Sequence, residues 1–188
     1  MQARRELNEF FVAVQARALR HAEIALRNRD AALDVLQDAM IKLAQNYADK
    51  PDEWPMLFQR ILQNAIIDWY RRQKVRRIFT WFGGADEFEA AVTENQIDDG
   101  HELHRPADNP EQAHQRLQIS RKVESALTQL PLRQQQAFLL RAWWGHDIDT
   151  TAAIMKCSSG SVKTHYSRAQ LRMREILQSE LLHGHIDN

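Results

Sequence analysis

The stretch from Phe58 to Arg77 constrains this chain most. Phe58, Ile61, Leu62, Ala65, Ile66, Trp69 and Tyr70 recur at i, i+3, i+4, i+7, i+8, i+11 and i+12, the apolar stripe of one α-helical face. Water does not tolerate such a stripe, so the element must pack against other helices or a sheet. The opposite face carries Arg60, Gln63, Asn64, Asp68, Arg71 and Arg72, and the helix runs out into Lys74, Arg76 and Arg77. A hydrogen-bonding, cationic front on an apolar back suits a polyanionic partner. It equally suits a solvated surface helix whose basic end complements its own dipole.

Gly and Pro number only 6 and 5 in 188 residues, and no alternating Val/Ile/Thr run stands between turn signals. The chain therefore reads as all-α, in one domain or two small ones. Lys plus Arg and Asp plus Glu balance at 25 each, so net charge identifies no partner. Distribution is more informative. Basic residues cluster at 71 to 77 and from Lys163 to Arg174. Asp86, Glu87, Glu89, Glu94, Asp98, Asp99, Glu102, Asp108 and Glu111 lie between them. A single Cys157 rules out an internal disulfide and a Cys-rich zinc site and fits a reducing compartment. With no apolar run long enough to span a bilayer and no signal-peptide core at the N-terminus, the expected location is the cytoplasm, with no membrane insertion.

Taken in order, Phe10, Phe11, Val14, Ala18, Leu19, Ala22, Ala25 and Leu26 predict a first helix from about Leu7 to Arg27. Asp30 is the expected N-cap of a second, which buries Ala32, Val35, Leu36, Ala39, Met40 and Leu43, shows Asp34, Gln37, Asp38 and Lys42, and ends near Tyr47. Residues 48 to 55 form a Pro-stiffened loop into the central helix. From Ile78 to about Asn109 the chain is acidic and weakly periodic, a flexible linker in which Phe79, Trp81 and Phe82 are expected to dock on the first domain. Pro110 restarts helix, with Ala113, Leu117, Val123, Ala126, Leu127 and Leu130 on its apolar face, and Pro131 opens another, which Trp143-Trp144-Gly145 ends. The domains are then 1–77 and 113–188, joined by an acidic linker at 78–112.

A short helix at about Asp149 to Lys156, a turn at Cys157-Ser158-Ser159 and a long final helix from about Gly160 to Leu182 make a helix-turn-helix pattern. Ser159 is the expected cap. Val162, Tyr166, Ala169 and Met173 are spaced to face the core with Ala153 and Ile154. Lys163, Thr164, Ser167 and Arg168 are left outward, where a recognition helix meets base edges, with Arg172 and Arg174 placed for the phosphates. A plain αα-hairpin with a charged face is the alternative.

Several of these segments resemble the extracytoplasmic-function (group 4) sigma factors of bacterial RNA polymerase. Asp34-Val-Leu-Gln-Asp38 resembles an acidic stretch of the family's region 2. Arg60-Ile-x-x-Asn64-x-x-x-Asp68-x-x-Arg71-Arg72 resembles its promoter-reading helix, and Leu130-Pro131, Ala152-Ala153-Ile154-Met155 and Gly160-Ser-Val162-Lys-Thr-x-x-x-Arg168-Ala169 resemble region 4. The resemblance implies a region 2 bundle and a region 4 helix-turn-helix. In it Asp34, Gln37 and Asp38 would grip the β′ clamp helices of core polymerase, with region 4 at the β flap. Asn64 would help hold a flipped −10 base beside the loop from Tyr47 to Trp54, and Asp68, Arg71, Arg72, Lys74, Arg76 and Arg77 would serve the same −10 contact. Lys163, Thr164, Ser167, Arg168 and Arg172 would serve the −35 element. The linker would thread towards the active-site cleft, and an anti-sigma factor would mask the polymerase-binding surfaces. Departures are Leu57 for the family's Trp, with Trp54 three residues earlier, Leu33 for a Glu, Asp149-Thr150-Thr151 for Glu-Glu-Ile, and Ser161 for a Thr.

Val162-Lys-Thr-His-Tyr166 also resembles the recognition helix of response-regulator-type activators, but that class fits only the C-terminal third. No nucleophile-base pair, phosphate loop or carboxylate dyad supports an enzyme, and no cofactor or metal is expected. His101-Glu-Leu-His104 is one residue short of the zinc-protease spacing, and His183-Gly-His185 lies at a terminus expected to fray.

Overall fold

The structure, a computed structural model, describes residues 2–82 and 110–183, and within them the side chains of residues 2, 4–73 and 114–179. Among the described residues there is no strand. The chain divides into two compact units, Met1–Asp98 and Asp99–Asn188. The expected linker, apart from its ends, lies outside the described residues, as do the side chains of Phe79, Trp81, Phe82 and His183 and the whole of His101-Glu-Leu-His104.

Three helices pack together in the first unit: α1 (Gln2–Leu26), α2 (Arg29–Asn46) and α3 (Trp54–Phe82). α1 buries Leu7, Ala18, Leu19, Ala22, Ala25 and Leu26, one face of the expected stripe, together with Ile24. It stops where Arg27 turns left-handed at φ 51°. Asn28, not Asp30, then caps α2, its side-chain oxygen accepting from the Ala31 N–H at 2.8 Å. The break comes two residues earlier than acidity suggested, because Asn28 directly follows the left-handed residue and is free to take the extended backbone that a cap requires. α2 buries Ala32, Val35, Leu36, Ala39 and Leu43 and closes on Tyr47, while Met40 is half-buried.

A single 3₁₀ turn, Pro51–Glu53, leads into α3. The loop is fastened by Trp54, whose indole N–H donates to the Tyr47 carbonyl at 2.7 Å. Phe10 stands 5.8 Å from Trp54 and meets Phe58 edge-to-face at 5.9 Å, an aromatic cluster that pins the start of α3 to α1. Along α3, Phe58, Leu62, Ala65 and Ile66 are buried as the periodicity predicts.

Gln63 is not on the outward face. It is 1 % exposed, with its amide 2.7 Å from Nε2 of His21 on α1. Gln59, one turn earlier, is equally buried, so a polar layer crosses the α1–α3 contact. Burial, followed by the nearby Arg17 cation, pushes the His21 imidazole down to about 3, which keeps it neutral.

The second unit comprises α4 (Pro110–Thr128), α5 (Leu132–Phe138), a π-helical turn (Leu139–Trp143), α6 (Ile148–Met155) and α7 (Ser159–His183), with α4, α5 and α6 all packed on α7. Its core is Ala126, Leu127, Leu130, Ala137, Leu139, Leu140, Ile154, Met155, Val162, Ala169 and Met173. Leu117, expected on the apolar face of α4, is 37 % exposed, and every described residue from His114 to Lys122 is exposed too. Of the described part of α4, only the C-terminal end is covered by the bundle.

Candidate nucleic-acid interface

The helix-turn-helix is built by local polar contacts. Asp147 begins α6: its carboxylate accepts from the Thr150 N–H at 2.6 Å, and that bond holds its pKa below the usual carboxylate range. Lys156 ends α6 in a left-handed conformation at φ 53°, letting the Cys157 N–H reach back to the Ala152 carbonyl at 3.1 Å. The cap of α7 is Ser158, whose hydroxyl accepts from the Ser161 N–H at 3.1 Å. Ser159, the expected cap, instead donates to Asp149 at 2.7 Å and ties the first turns of α6 and α7 together. Three consecutive residues of similar chemistry, Cys157-Ser158-Ser159, made the cap ambiguous by one position.

This fixes which way α7 faces. Val162 and Ala169 are fully buried and Met173 nearly so, while Lys163, Thr164, Ser167 and Arg168 are all exposed. Ala153 is exposed as well; Ala152 and Ile154 make the inward contacts of α6. The slip reflects the shortness of α6, too few turns for one Ala to be told from its neighbour by period. Among the described residues neither Lys163 nor Arg168 forms an ion pair, whereas Arg172 is bound to Glu175 at 3.1 Å. The cations at the N-terminal end of α7 therefore meet a partner without breaking an internal bond; Arg172 must exchange one. The Thr164 hydroxyl donates to the Gly160 carbonyl at 3.0 Å, leaving its oxygen as an acceptor.

Sequence reasoning missed the residues behind this face. Arg133 donates to the Met155 carbonyl at 3.1 Å, pinning α5 to the end of α6. Arg141 lies over the ring of Tyr166, 5.7 Å from its centroid, and donates to the His146 carbonyl. No periodicity signals either contact, because each joins segments whose approach depends on the π turn and the loop after it.

On α3, Asn64 is half-buried, Asp68, Arg71 and Arg72 are exposed, and the side chains of Lys74, Arg76 and Arg77 lie outside the described set. Asp68 pairs with Arg71 at 3.3 Å on the open surface, a bond of about 0 to 1 kcal/mol. Its carbonyl accepts from Arg72 Nε at 3.3 Å. The Tyr70 hydroxyl reaches across to the Ala25 carbonyl and anchors this end of α3 on α1. Asp34, Gln37 and Asp38 are exposed along α2 and, with Ala31, Val35, Trp69 and Arg72, line a depression of about 310 Å³ between α2 and α3. An acidic stripe and one of the arginines beyond it thus share one groove. No group of three or more His, Cys, Asp or Glu able to hold a metal ion occurs among the described residues, and none of their helices is long and apolar enough to cross a membrane.

Residues 120–173, the segment holding α5, α6 and the first half of α7, match the family model "Sigma-70, region 4". Over 176 residues, 93% of this chain and 86% of the relative, the sequence is 25% identical to the RNA polymerase sigma-E factor of Streptomyces avermitilis. Two solved structures share the fold. One is the sigma factor RpoE of Bartonella quintana, co-crystallised with the anti-sigma factor NepR (TM-score 0.57, 22% identity, 91% of this chain and 96% of that one). The other is CnrH in complex with the cytosolic domain of CnrY (TM-score 0.61, 19% identity, 95% and 94%).

Proposed function

We propose that this chain is an extracytoplasmic-function sigma factor, a transcription initiation factor that contacts its promoter through two surfaces and core polymerase through a third. The carrying observation is the orientation of α7: Val162, Ala169 and Met173 inward, Lys163, Thr164, Ser167 and Arg168 outward. Laid in the major groove, the outward set reads the −35 element. Arg168 has the bidentate fork that suits guanine, and Lys163 supplies a point charge. Arg172, once released from Glu175, serves the phosphates.

In the first unit the −10 contact falls to α3. Asn64 offers an amide to a base drawn out of the stack, and the loop closed by Trp54 on Tyr47 forms the wall beside it. Drawing a base out costs a few kcal/mol, and amide and stacking contacts offset that cost, so recognition and strand opening become one event. Asp68 braces Arg71 and Arg72. Those two, with Lys74, Arg76 and Arg77, follow the backbone. Asp34, Gln37 and Asp38 present two carboxylates and an amide to basic residues of the β′ clamp helices, and the second unit meets the β flap. A protein that masks these surfaces, as the anti-sigma factor NepR accompanies one of the similar structures, is the expected regulator. The organisation proposed is a region 2 domain at 1–77, a connector at 78–112 and a region 4 domain at 113–188, working in the cytoplasm without catalysis or cofactor. α3 itself continues to Phe82, into the first residues of that connector.

Run-off transcription with core polymerase on fragments of the organism's own genome tests this reading. Discrete transcripts that require the chain are expected; output no higher than that of core enzyme alone contradicts it. A response-regulator-type activator would need a receiver-like first unit, and the described part of that unit is helical throughout.

A further inference from the structure

The π turn between α5 and α6 does more than connect them. At Leu139–Trp143 the helix widens, so that the Trp144 N–H bonds five residues back to the Leu139 carbonyl at 2.9 Å and the His146 N–H reaches the Leu140 carbonyl at 3.0 Å. Gly145 then turns left-handed at φ 74°, a conformation that other residues adopt only with strain. The consequence is local and specific. The chain doubles back until the His146 carbonyl accepts a hydrogen bond from Arg141, a residue inside the π turn itself. Widened turns of this kind concentrate at functional positions.

Arg141 is half-buried, and its Nε is enclosed without a hydrogen-bond partner. Its guanidinium carbon lies 5.7 Å from the centroid of the Tyr166 ring, within cation–π range, and Phe138, one turn earlier, meets the same ring at 6.0 Å. Tyr166 sits on α7 between Thr164 and Ser167, one turn beyond Lys163. Arg141 therefore touches the back of the one turn whose front carries the exposed residues. A helix with its side chains has a radius of roughly 5 to 6 Å, so a rotation of about 10° about its axis moves side-chain tips by about 1 Å. That is enough to spoil hydrogen bonds to base edges, and little enough to leave phosphate attraction in place.

We propose that Arg141 is a positioning residue for promoter reading: clasped by the His146 carbonyl and stacked on Tyr166, it fixes the rotation of α7 and so the aim of Lys163, Thr164, Ser167 and Arg168. It touches no base itself. The proposal rests on the reading of α7 as the −35 helix and goes beyond it by naming what sets that helix's specificity from behind.

The test uses the full chain with core polymerase and two templates: a genomic promoter selected by the wild-type holoenzyme, and the same fragment with its −35 bases scrambled. The readout is the ratio of transcription between them. Arg141→Gln is expected to lower the ratio about fivefold, the scale of a lost, partly desolvated cation–π contact. Arg141→Lys, which keeps a cation over the ring without the fork, restores part of it. Tyr166→Leu reproduces the loss, and the double variant Arg141→Gln/Tyr166→Leu is no worse than either single one, as for two ends of one contact. A purely structural defect would lower both templates by the same factor. That result, or unchanged ratios in Arg141→Gln and Tyr166→Leu beside a high wild-type ratio, overturns the role of Arg141 alone. A wild-type ratio of one overturns the base-reading role of α7, and this proposal with it.

Discussion

At the residue scale, the buried pair His21 and Gln63 gives a prediction independent of any partner. The imidazole stays neutral in the folded chain down to about pH 3, whereas an unfolded His takes its proton near pH 6.5. Between those values the unfolded state binds more protons, so stability falls as pH drops below 6.5, by up to roughly 1.4 kcal/mol per unit, and has no slope from this group above it. Amide exchange of the buried stretch Ala18 to Ala25, corrected for intrinsic rates, should quicken from pH 7 to pH 5. His21→Leu should flatten that dependence while lowering stability at pH 7, because the Gln63 amide loses its partner. An unchanged slope would remove His21 as its source. Asn64, half-buried on the same helix, is expected to act later: Asn64→Ala should reduce permanganate reactivity of unpaired −10 thymines more than it reduces closed-complex binding. Equal reactivity would take Asn64 out of the opening step.

Gln63 also marks the limit of what sequence can tell at this scale. Its neighbours Leu62, Ala65 and Ile66 fixed the buried face correctly, Ile61 lying only half-buried at its edge, and an amide beside that stripe looked solvated. Whether it is solvated depends on a histidine 42 positions away. No window of the sequence contains that information. The same holds for Arg141, whose partners lie across a loop and on another helix.

At the element scale, boundaries and faces were mostly legible, because they depend on period and local turn chemistry. α2 buries five of the six residues its spacing predicts and exposes Asp34, Gln37, Asp38 and Lys42. Errors fell where two residues compete for one local role, Asn28 against Asp30 and Ser158 against Ser159, or where an element is too short to show a period, as with Ala153 in α6. The cap assignments are themselves testable. Ser158→Ala should destabilise the second unit by about 1 kcal/mol, through the loss of the bond to the Ser161 N–H, as a shift in thermal midpoint. Ser159→Ala, which releases only a hydroxyl from an exposed carboxylate, should cost less. The reverse order would return the cap to Ser159. The π turn was invisible beforehand, since nothing in Leu139–Trp143 distinguishes a wide turn from an ordinary one.

At the scale of the whole molecule, both units follow one plan: apolar residues hold a helix by its back, and the exposed front is left to polar and charged groups. In the first unit the groove lined by Asp34, Gln37, Asp38, Trp69 and Arg72 puts acidic and basic fronts side by side. Charge reversal at Asp34 and Asp38 together is expected to weaken capture of core polymerase and to leave the secondary structure intact, measured by co-purification and far-UV circular dichroism. Undiminished capture would separate that stripe from the polymerase contact. In the second unit the front is the N-terminal half of α7, and the proposed function depends on it most. The direct measurement is a loss-of-contact assay: holoenzyme containing Arg168→Ala, transcribing a promoter panel in which each −35 base pair is changed in turn. The account predicts a loss of about 1 to 3 kcal/mol on the native promoter and indifference to one base pair to which the wild-type protein is sensitive. A variant that keeps the wild-type sensitivity at every position, or that loses equally on native and scrambled −35 sequences, would contradict it.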